Sequence, residues 1–228
     1  MQLALGRGAA GRRRWGERTE EQCASEECTD EDLDETDATK TDHGGIVLGV
    51  VPADMTPSDY VIPRIRPARA ADLGQIGPIE DAGGPQLQEL FGDAIEPILL
   101  SPAADGRQRA AEPGFLLVAG EPPVGFVHVL VLDGHAHLEQ LSVLPEHQRR
   151  GIGAALTRAA MAEARAQGFD RMSLCTYRDV PWNGPFYRGL GFTEVAELAS
   201  YERRLRDKER DLGLDINGVR VVMEVALR

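Results

Sequence analysis

A short turn at residues 148–153 has the residue types that could hold a phosphate group. Its sequence is Gln-Arg-Arg-Gly-Ile-Gly, with glycines at positions 151 and 153. Glycine has no Cβ, so the backbone N–H groups of such a turn can close around phosphate oxygens at the start of a helix. We therefore expect these amides to bind a pyrophosphate, although a simple tight turn has the same glycine spacing.

The flanking sequence predicts a strand before this turn and a helix after it. Leu141 and Val143 alternate with polar residues, which is the period of a strand, and Pro145 ends it. From Gly153 the composition changes to Ala, Leu, Arg and Glu, and Gly168 is placed to end the helix. The turn is thus predicted to lie at the start of a helix of about four turns.

Two sequence motifs relate the chain to a known family. A P-loop would end in Gly-Lys-Ser/Thr and a Rossmann fingerprint would need a small residue at Leu156, and neither is present. The turn instead resembles motif A of the GNAT N-acetyltransferase superfamily, Gln/Arg-x-x-Gly-x-Gly/Ala, at Gln148, Gly151 and Gly153. The sequence Pro-Phe-Tyr-Arg-Gly-Leu-Gly-Phe at residues 185–192 resembles the second signature of that superfamily.

This resemblance implies an α+β fold and acetyl-CoA as the co-substrate. It extends from about Tyr60 to the C-terminus and predicts a mixed, mostly antiparallel central sheet flanked by helices. It also implies that the backbone of Leu141 and Val143 pairs with the pantetheine arm as a further strand would. The other cofactor contacts that it implies are Gln148, Arg149, Arg150, Gly151, Ile152, Gly153, Ala154 and Asn183.

His137 and Glu139 are the candidates for a general base. They are two residues apart on a predicted strand, so their side chains point to the same face. An alkyl ammonium with a pKa of about 10.4 is almost entirely protonated at pH 7, so a group that accepts its proton matters to the rate. The resemblance places both residues where superfamily members carry a strand-borne Glu or paired His residues. Either could act directly or through an ordered water, or have only a structural role.

Tyr187 matches the superfamily tyrosine whose hydroxyl approaches the CoA sulfur. The resemblance implies that Tyr187 protonates the departing thiolate; the alternative is a core aromatic residue like Phe186. A thiol pKa of about 8.5 lets the leaving group depart almost unaided, so we expect the acid to matter less than the base. A backbone N–H near Val143 would hold the oxyanion. Many members carry Asn seven residues before the tyrosine; Val180 occupies that position here, and Asn183 lies one helical turn before Tyr187.

Composition divides the chain into an acidic N-terminal segment and one domain. The 228 residues carry a net charge of -12. Residues 1–42 contain 12 acidic and 6 basic residues and few large apolar ones, which predicts a disordered tail. We assign residues 1–58 to this acidic tail, or to an extension from a start codon placed earlier than Met55, and residues 59–228 to the GNAT domain. A chain that begins at Met55 is expected to keep its stability and turnover, unless the apolar stretch 46–51 packs on the domain.

Charge, hydropathy and cysteine spacing argue against several other classes. Neither part of the chain is strongly basic, so we expect no nucleic-acid binding. A signal-peptide core and a membrane-spanning stretch are both absent from the sequence, which predicts a cytoplasmic protein without a membrane partner. Cys23, Cys28 and Cys175 lack Cys-x-x-Cys spacing, so we expect three free thiols and no metal; a zinc site that includes His43 is the alternative.

The remaining elements follow from periodicity and turn signals. Further strands are predicted at 60–66, 115–119, 124–132, 135–143, 171–176, 192–196 and 219–227. Helices are predicted to span 181–189 and 201–212, the last as an exposed insertion in the final hairpin, and residues 66–73 resemble the superfamily's entry into its first helix. Residues 79–113 are predicted to be irregular; the resemblance implies a lid over the acceptor, and a variable loop is the alternative. The strand at 171–176 should pair in parallel with the strand before the long helix.

The predicted function is the transfer of an acetyl group from acetyl-CoA to a primary amine by direct attack in a ternary complex. The acceptor is a small molecule or a peptide. Net negative charge favours a cationic molecule such as a polyamine or aminoglycoside, and a protein N-terminus or lysine stays open. A homodimer also stays open. The alternatives are an acyl-CoA-binding regulatory module without turnover and a nucleotide-binding protein, which the lack of a phosphate-binding Lys disfavours.

Overall fold

Seven strands and six α-helices make up residues 61–227, which are the part of the chain that the computed structural model describes. The predicted tail, with Cys23, Cys28, His43 and Met55, lies outside the described residues, as does Tyr60. Within the described part, no helix is both long and apolar enough to cross a membrane.

The strands form one mixed sheet. They are β1 (Ile65–Pro67), β2 (Gly114–Gly120), β3 (Pro123–Leu132), β4 (His135–Val143), β5 (Arg171–Tyr177), β6 (Thr193–Glu194) and β7 (Arg220–Ala226). Their order in the sheet is β1-β2-β3-β4-β5-β7-β6, and every neighbouring pair is antiparallel except β4 with β5. The predicted mixed, mostly antiparallel sheet is therefore confirmed, and so is the parallel pairing after the long helix.

Helices flank this sheet. They are α1 (Leu73–Asp81), α2 (Gly84–Phe91), α3 (Gly106–Ala111), α4 (Ile152–Ala166), α5 (Gly184–Arg188) and α6 (Ser200–Asp211). The region 79–113 is more regular than predicted, because it contains the end of α1, all of α2 and all of α3. Pro85 does not interrupt α2, since it lies in the first turn of that helix, where a missing N–H costs no hydrogen bond.

The main hydrophobic core lies between α4 and one face of the sheet. Leu156, Ala160 and Ala164 follow one another at helical spacing on α4 and are completely buried. They belong to the same cluster as Leu138 of β4 and Leu174 of β5. This packing fixes the start of α4 relative to the end of β4, which is where the predicted phosphate turn lies.

The opposite face of the sheet is more polar, and α6 packs against part of it. Tyr201 and Leu205 of α6 are buried with Cys175 of β5 and Val222 of β7. The prediction of an exposed helix at 201–212 is therefore wrong for this face of α6. Its position in the last hairpin, between β6 and β7, is as predicted.

Three predicted elements are shorter in the structure. β1 begins at Ile65 rather than at residue 60, because β2 extends only one residue past Ala119, the partner of Ile65. The helix predicted at 181–189 is limited to α5. The strand predicted at 192–196 is limited to β6, since Phe192 turns into the core instead.

Candidate active site

A gap between β4 and β5 forms the centre of the candidate site. The two strands pair only at Ala136 with Met172 and at His137 with Ser173. Beyond these pairs β5 continues alongside β7, from Leu174 to its end. The later part of β4 therefore has no neighbouring strand in register on this side, and its edge is open to an extended ligand.

A bulge in β4 lies next to this gap. Leu138 pairs with Val129 and Gln140 pairs with His128, so Glu139 is the residue inserted at the bulge. A bulge reverses the alternation of side chains along a strand. Leu141 consequently joins Leu138 on the α4 side of the sheet, although the two are three residues apart.

A pocket of about 270 Å³ lies at the open edge of β4. One wall is the end of β4, with Leu141, Ser142 and Val143. A second wall comes from α5 and the residues before it: Trp182, Asn183, Phe186 and Tyr187. The third comes from α1, α2 and their connection: Ile79, Gly83, Gln86 and Leu87. The predicted phosphate turn and the start of α4 complete the lining.

The turn has the backbone geometry that a phosphate site requires. Arg149 and Gly151 have positive φ angles of 58° and 83°, and α4 begins at the next residue, Ile152. No side chain caps this helix, so the N–H groups of its first turn keep no side-chain acceptor. Gly151, Gly153 and Ala154 line the pocket. A helix N-terminus with uncapped amides facing a cavity fits an anionic group such as a pyrophosphate.

Eight of the ten predicted cofactor residues line this one pocket. They are Leu141, Val143, Gln148, Arg149, Gly151, Gly153, Ala154 and Asn183. Arg150 and Ile152 are not part of the lining. The Ile152 side chain packs in the main core, which leaves only its backbone for the predicted role.

The Gln148 side chain connects the turn to two other elements. Its Nε2 donates to the carbonyl oxygen of Val143 at 2.9 Å and to Oε1 of Gln86 at 3.3 Å. In return, Nε2 of Gln86 donates to Oε1 of Gln148 at 2.7 Å. The end of β4, the phosphate turn and α2 are thus joined by one set of hydrogen bonds.

The two candidate bases are close together but are buried outside the pocket lining. His137 and Glu139 are each 1% exposed, and Nε2 of His137 lies 3.8 Å from a carboxylate oxygen of Glu139. Nδ1 of His137 lies 2.8 Å from Oγ of Ser173. Burial, with a smaller effect of the Arg220 charge, lowers the pKa of His137 to about 3. The imidazole is therefore neutral at neutral pH.

A hydrogen-bonded series of side chains continues from His137 towards α6. The hydroxyl of Tyr201 lies within hydrogen-bond distance of Oγ of Ser173, at 3.2 Å. It lies at the same distance from a carboxylate oxygen of Glu202. Because α6 covers these groups, the polar residues around His137 are shielded from solvent.

Tyr187 and Asn183 both face the pocket. Tyr187 is 4% exposed and makes edge-to-face contacts with Phe186 and Phe192. Burial raises the pKa of its hydroxyl, so Tyr187 stays protonated and able to donate a hydrogen bond. Asn183 is 3% exposed, and its Nδ2 has no hydrogen-bond partner. Both side chains therefore offer donors at the same wall of the pocket.

Sequence reasoning named none of the residues that α1, α2 and their connection contribute to the pocket wall, although it offered 79–113 as a lid. Gln86 is 62 residues from its partner Gln148, and nothing in the spacing of either residue indicates that they meet. Polar Gln140 and Ser142 alternate with apolar residues as in a regular strand, so the bulge at Glu139 was not predicted either. Among residues 61–227, no group of three His, Cys, Asp or Glu side chains is arranged to hold a metal ion.

Comparison with known proteins finds a family to which this fold and these motifs are similar. Residues 85–192 match the model of the acetyltransferase (GNAT) family. The PaiA N-acetyltransferase from Thermoplasma acidophilum, solved in complex with coenzyme A, is 17% identical with a TM-score of 0.53, over 73% of this chain and 99% of that one. A GNAT-family acetyltransferase from Staphylococcus aureus is 16% identical with a TM-score of 0.53, over 74% and 100%. A GCN5-related N-acetyltransferase from Rhodopseudomonas palustris is 22% identical with a TM-score of 0.52, over 73% and 98%.

Proposed function

We propose that this chain, which belongs to the GNAT acetyltransferase family, transfers an acetyl group from acetyl-CoA to a primary amine. The observation that carries the proposal is that the uncapped start of α4 and the open edge of β4 line the same pocket. The proposed pyrophosphate site is thus next to the strand edge that is open to an extended ligand. In CoA the pyrophosphate is likewise next to the extended pantetheine arm. The coenzyme A complex of the PaiA enzyme accords with this choice of cofactor.

The chain offers groups for each part of the cofactor. The amides of Gly151, Gly153 and Ala154 would hold the pyrophosphate, with the Arg149 side chain adding positive charge. The backbone at Leu141 and Val143 would pair with the pantetheine arm. When bound, acetyl-CoA supplies the acetyl group as a thioester. The unpartnered Nδ2 of Asn183 is a donor for the amide oxygens of the pantetheine arm.

Three groups of this chain would then act on the reacting atoms. Glu139 accepts the proton that the amine loses as its nitrogen attacks the acetyl carbon. A backbone N–H near Val143 donates to the oxyanion, and Tyr187 donates a proton to the sulfur as the carbon–sulfur bond breaks. The ammonium first loses one proton to solvent, and the neutral amine loses the second to Glu139 as the carbon–nitrogen bond forms. The electrons of the carbon–sulfur bond leave with the sulfur, and the proton held by Glu139 returns through solvent to Tyr187.

Glu139 is a better candidate for the base than His137. An imidazole with a pKa near 3 takes up a proton only weakly, so His137 would gain little from accepting one at neutral pH. Since Glu139 does not line the pocket, we propose that it receives the proton through an ordered water. His137 then lies beside the carboxylate as a neutral imidazole.

The test is a measurement of CoA release with a thiol reagent. The protein is incubated with acetyl-CoA and a panel of polyamines, aminoglycosides and peptides with a free N-terminus or lysine. We expect CoA release that depends on one class of amine, together with a CoA-dependent rise in melting temperature. A rise in melting temperature without release for any amine would favour an acyl-CoA-binding module. The absence of both effects would refute the proposal.

A further inference from the structure

Gln86 of α2 and Gln148 of the phosphate turn form a reciprocal amide pair. Each side chain donates through Nε2 to Oε1 of the other, at 2.7 Å and 3.3 Å. The second N–H of Gln148 donates to the carbonyl oxygen of Val143 at 2.9 Å. A backbone carbonyl can only accept, so this contact fixes which end of the Gln148 amide carries the nitrogen.

The pair joins two walls of the pocket in which we place the cofactor. Gln86 lines it from α2, and Gln148 lines it from the turn. Both N–H groups of Gln148 are used within the protein, so neither remains to donate to a phosphate oxygen. Gln148 therefore has the contacts of a support for the turn rather than those of a ligand contact.

We infer that Gln86 is a positioning residue for the cofactor, which holds the phosphate turn against the end of β4 through Gln148. This inference rests on the proposed function, because it assumes that the pocket binds CoA. It also assigns Gln148 a role different from direct contact with the pyrophosphate. The phosphate oxygens are left to the backbone amides at residues 151–154.

Holding the turn in its binding conformation before the ligand arrives lowers the entropy cost of binding. A protein hydrogen bond contributes about 0.5–1.5 kcal/mol net, and two are lost when Gln86 is replaced by an apolar residue. Because a loss of about 1.4 kcal/mol of binding free energy raises Kd tenfold, we expect the Kd for CoA to rise about tenfold. The effect should be confined to cofactor binding, because Gln86 is not among the groups assigned to the acetyl transfer.

The experiment compares Gln86→Met with Gln88→Met by calorimetric titration with CoA. Methionine keeps the approximate length of glutamine without its hydrogen bonds. Gln88 is on the same helix and donates to Gly92 at its C-terminal end, so its replacement also removes one hydrogen bond but none to the turn. We expect Gln86→Met to raise the Kd about tenfold, whereas Gln88→Met leaves it unchanged. A wild-type Kd in Gln86→Met would overturn the inference.

Two further readouts separate positioning from a general loss of structure. In steady-state assays Gln86→Met should raise KM for acetyl-CoA and leave kcat and KM for the amine near wild-type values. The double variant Gln86→Met/Gln148→Met should bind CoA no more weakly than Gln148→Met alone, because both residues act through one contact. Additive losses would show that Gln86 and Gln148 affect cofactor binding independently, against the inference. If wild-type protein binds no CoA, the proposed function fails instead.

Discussion

Nε2 of His137 lies 3.8 Å from the carboxylate of Glu139, and both side chains are almost completely buried. The distance exceeds that of a hydrogen bond, and the other ring nitrogen of His137 contacts Ser173 instead. Because the imidazole is neutral at neutral pH, the contact does not place a cation beside the carboxylate. For the same reason we propose Glu139 rather than His137 as the base.

Glu139→Gln should lower kcat/KM by about two to four decades at pH 7, which is typical of a lost general base. The side chain keeps its size, so the fold should survive. Activity should partly recover as the pH approaches about 10.4, where the amine loses its proton without help. The pH dependence of kcat/KM from 6 to 10 is the measurement. A variant profile parallel to that of the wild type would move the role to His137 or to solvent.

Tyr187→Phe should reduce kcat/KM less than Glu139→Gln does at neutral pH. A CoA thiolate is a good leaving group because its thiol pKa is only about 8.5, so loss of the acid is tolerated. Burial raises the pKa of Tyr187, so its hydroxyl acts as a donor over the whole neutral range and the variant should not shift the pH profile. Steady-state rates of both variants, measured side by side, check this order. The opposite order would make proton donation to sulfur the more demanding step.

Local signals predicted the elements that carry the site. Pro145 and Gly168 bound the turn and α4 correctly, because each acts on its own backbone. Asp133 and Gly134, an Asp-Gly pair of the kind that favours a hairpin turn, have positive φ angles between β3 and β4. Such residues report local geometry, so sequence alone is enough to place them.

Features that depend on distant contacts were not predictable in this way. The alternation along β4 reads as an unbroken strand, and the bulge at Glu139 appears only through the pairing with β3. Glu209 lies in the segment 201–212 that was predicted to be exposed, yet its side chain and that of Arg220 are buried against each other. Each is buried because it contacts the other from a different element, and the sequence alone does not predict that contact.

Asp72→Asn should reduce the loss of stability on acidification. Arg66 donates two hydrogen bonds to the Asp72 carboxylate, at 2.6 Å and 2.9 Å, and with the Arg69 amide lowers its pKa to about 2. A carboxylate whose folded-state pKa is depressed stabilises the protein above its unfolded pKa of about 3.9, and this contribution is lost as the pH falls through about 2.

Melting temperatures between pH 5 and 2 test this expectation. The wild type should lose stability more steeply below about pH 4 than Asp72→Asn does. Asp211→Asn, at an exposed position at the end of α6, is the control and should follow the wild type. Parallel curves for Asp72→Asn and the wild type would show that the Arg66 contact does not couple protonation to folding.

Glu209→Gln should destabilise the fold by about 3–5 kcal/mol, because it leaves the buried Arg220 without its counter-charge. Glu209 accepts hydrogen bonds from Arg206, which also donates to Asp215, and from Arg220, which lies over the ring of Tyr177. The matched control is Asp207→Asn, which breaks an exposed pair with Arg210 and should cost at most about 1 kcal/mol. Urea unfolding measures the free energy of unfolding of both variants. Equal losses in the two variants would contradict a stronger dependence on the buried Glu209–Arg220 pair than on the exposed pair.

Gly151→Asp should abolish most of the stabilisation that CoA gives, whereas Gly168→Asp should not. Both glycines have positive φ angles, 83° and 91°, so each aspartate is forced into the left-handed region at a similar backbone cost. A Cβ at Gly151 would meet only an ordinary contact with Ile62, and a Cβ at Gly168 would meet nothing, so neither variant should clash.

The two variants differ in where the new carboxylate lies. At residue 151 it enters the pocket beside the uncapped amides of α4 and repels a pyrophosphate, while residue 168 follows the opposite end of that helix. At a hundredfold excess over Kd, CoA should stabilise the wild type and Gly168→Asp by about 2.7 kcal/mol. Thermal melts with and without CoA measure both differences. A full CoA-dependent shift in Gly151→Asp would mean that the phosphates bind somewhere other than this turn.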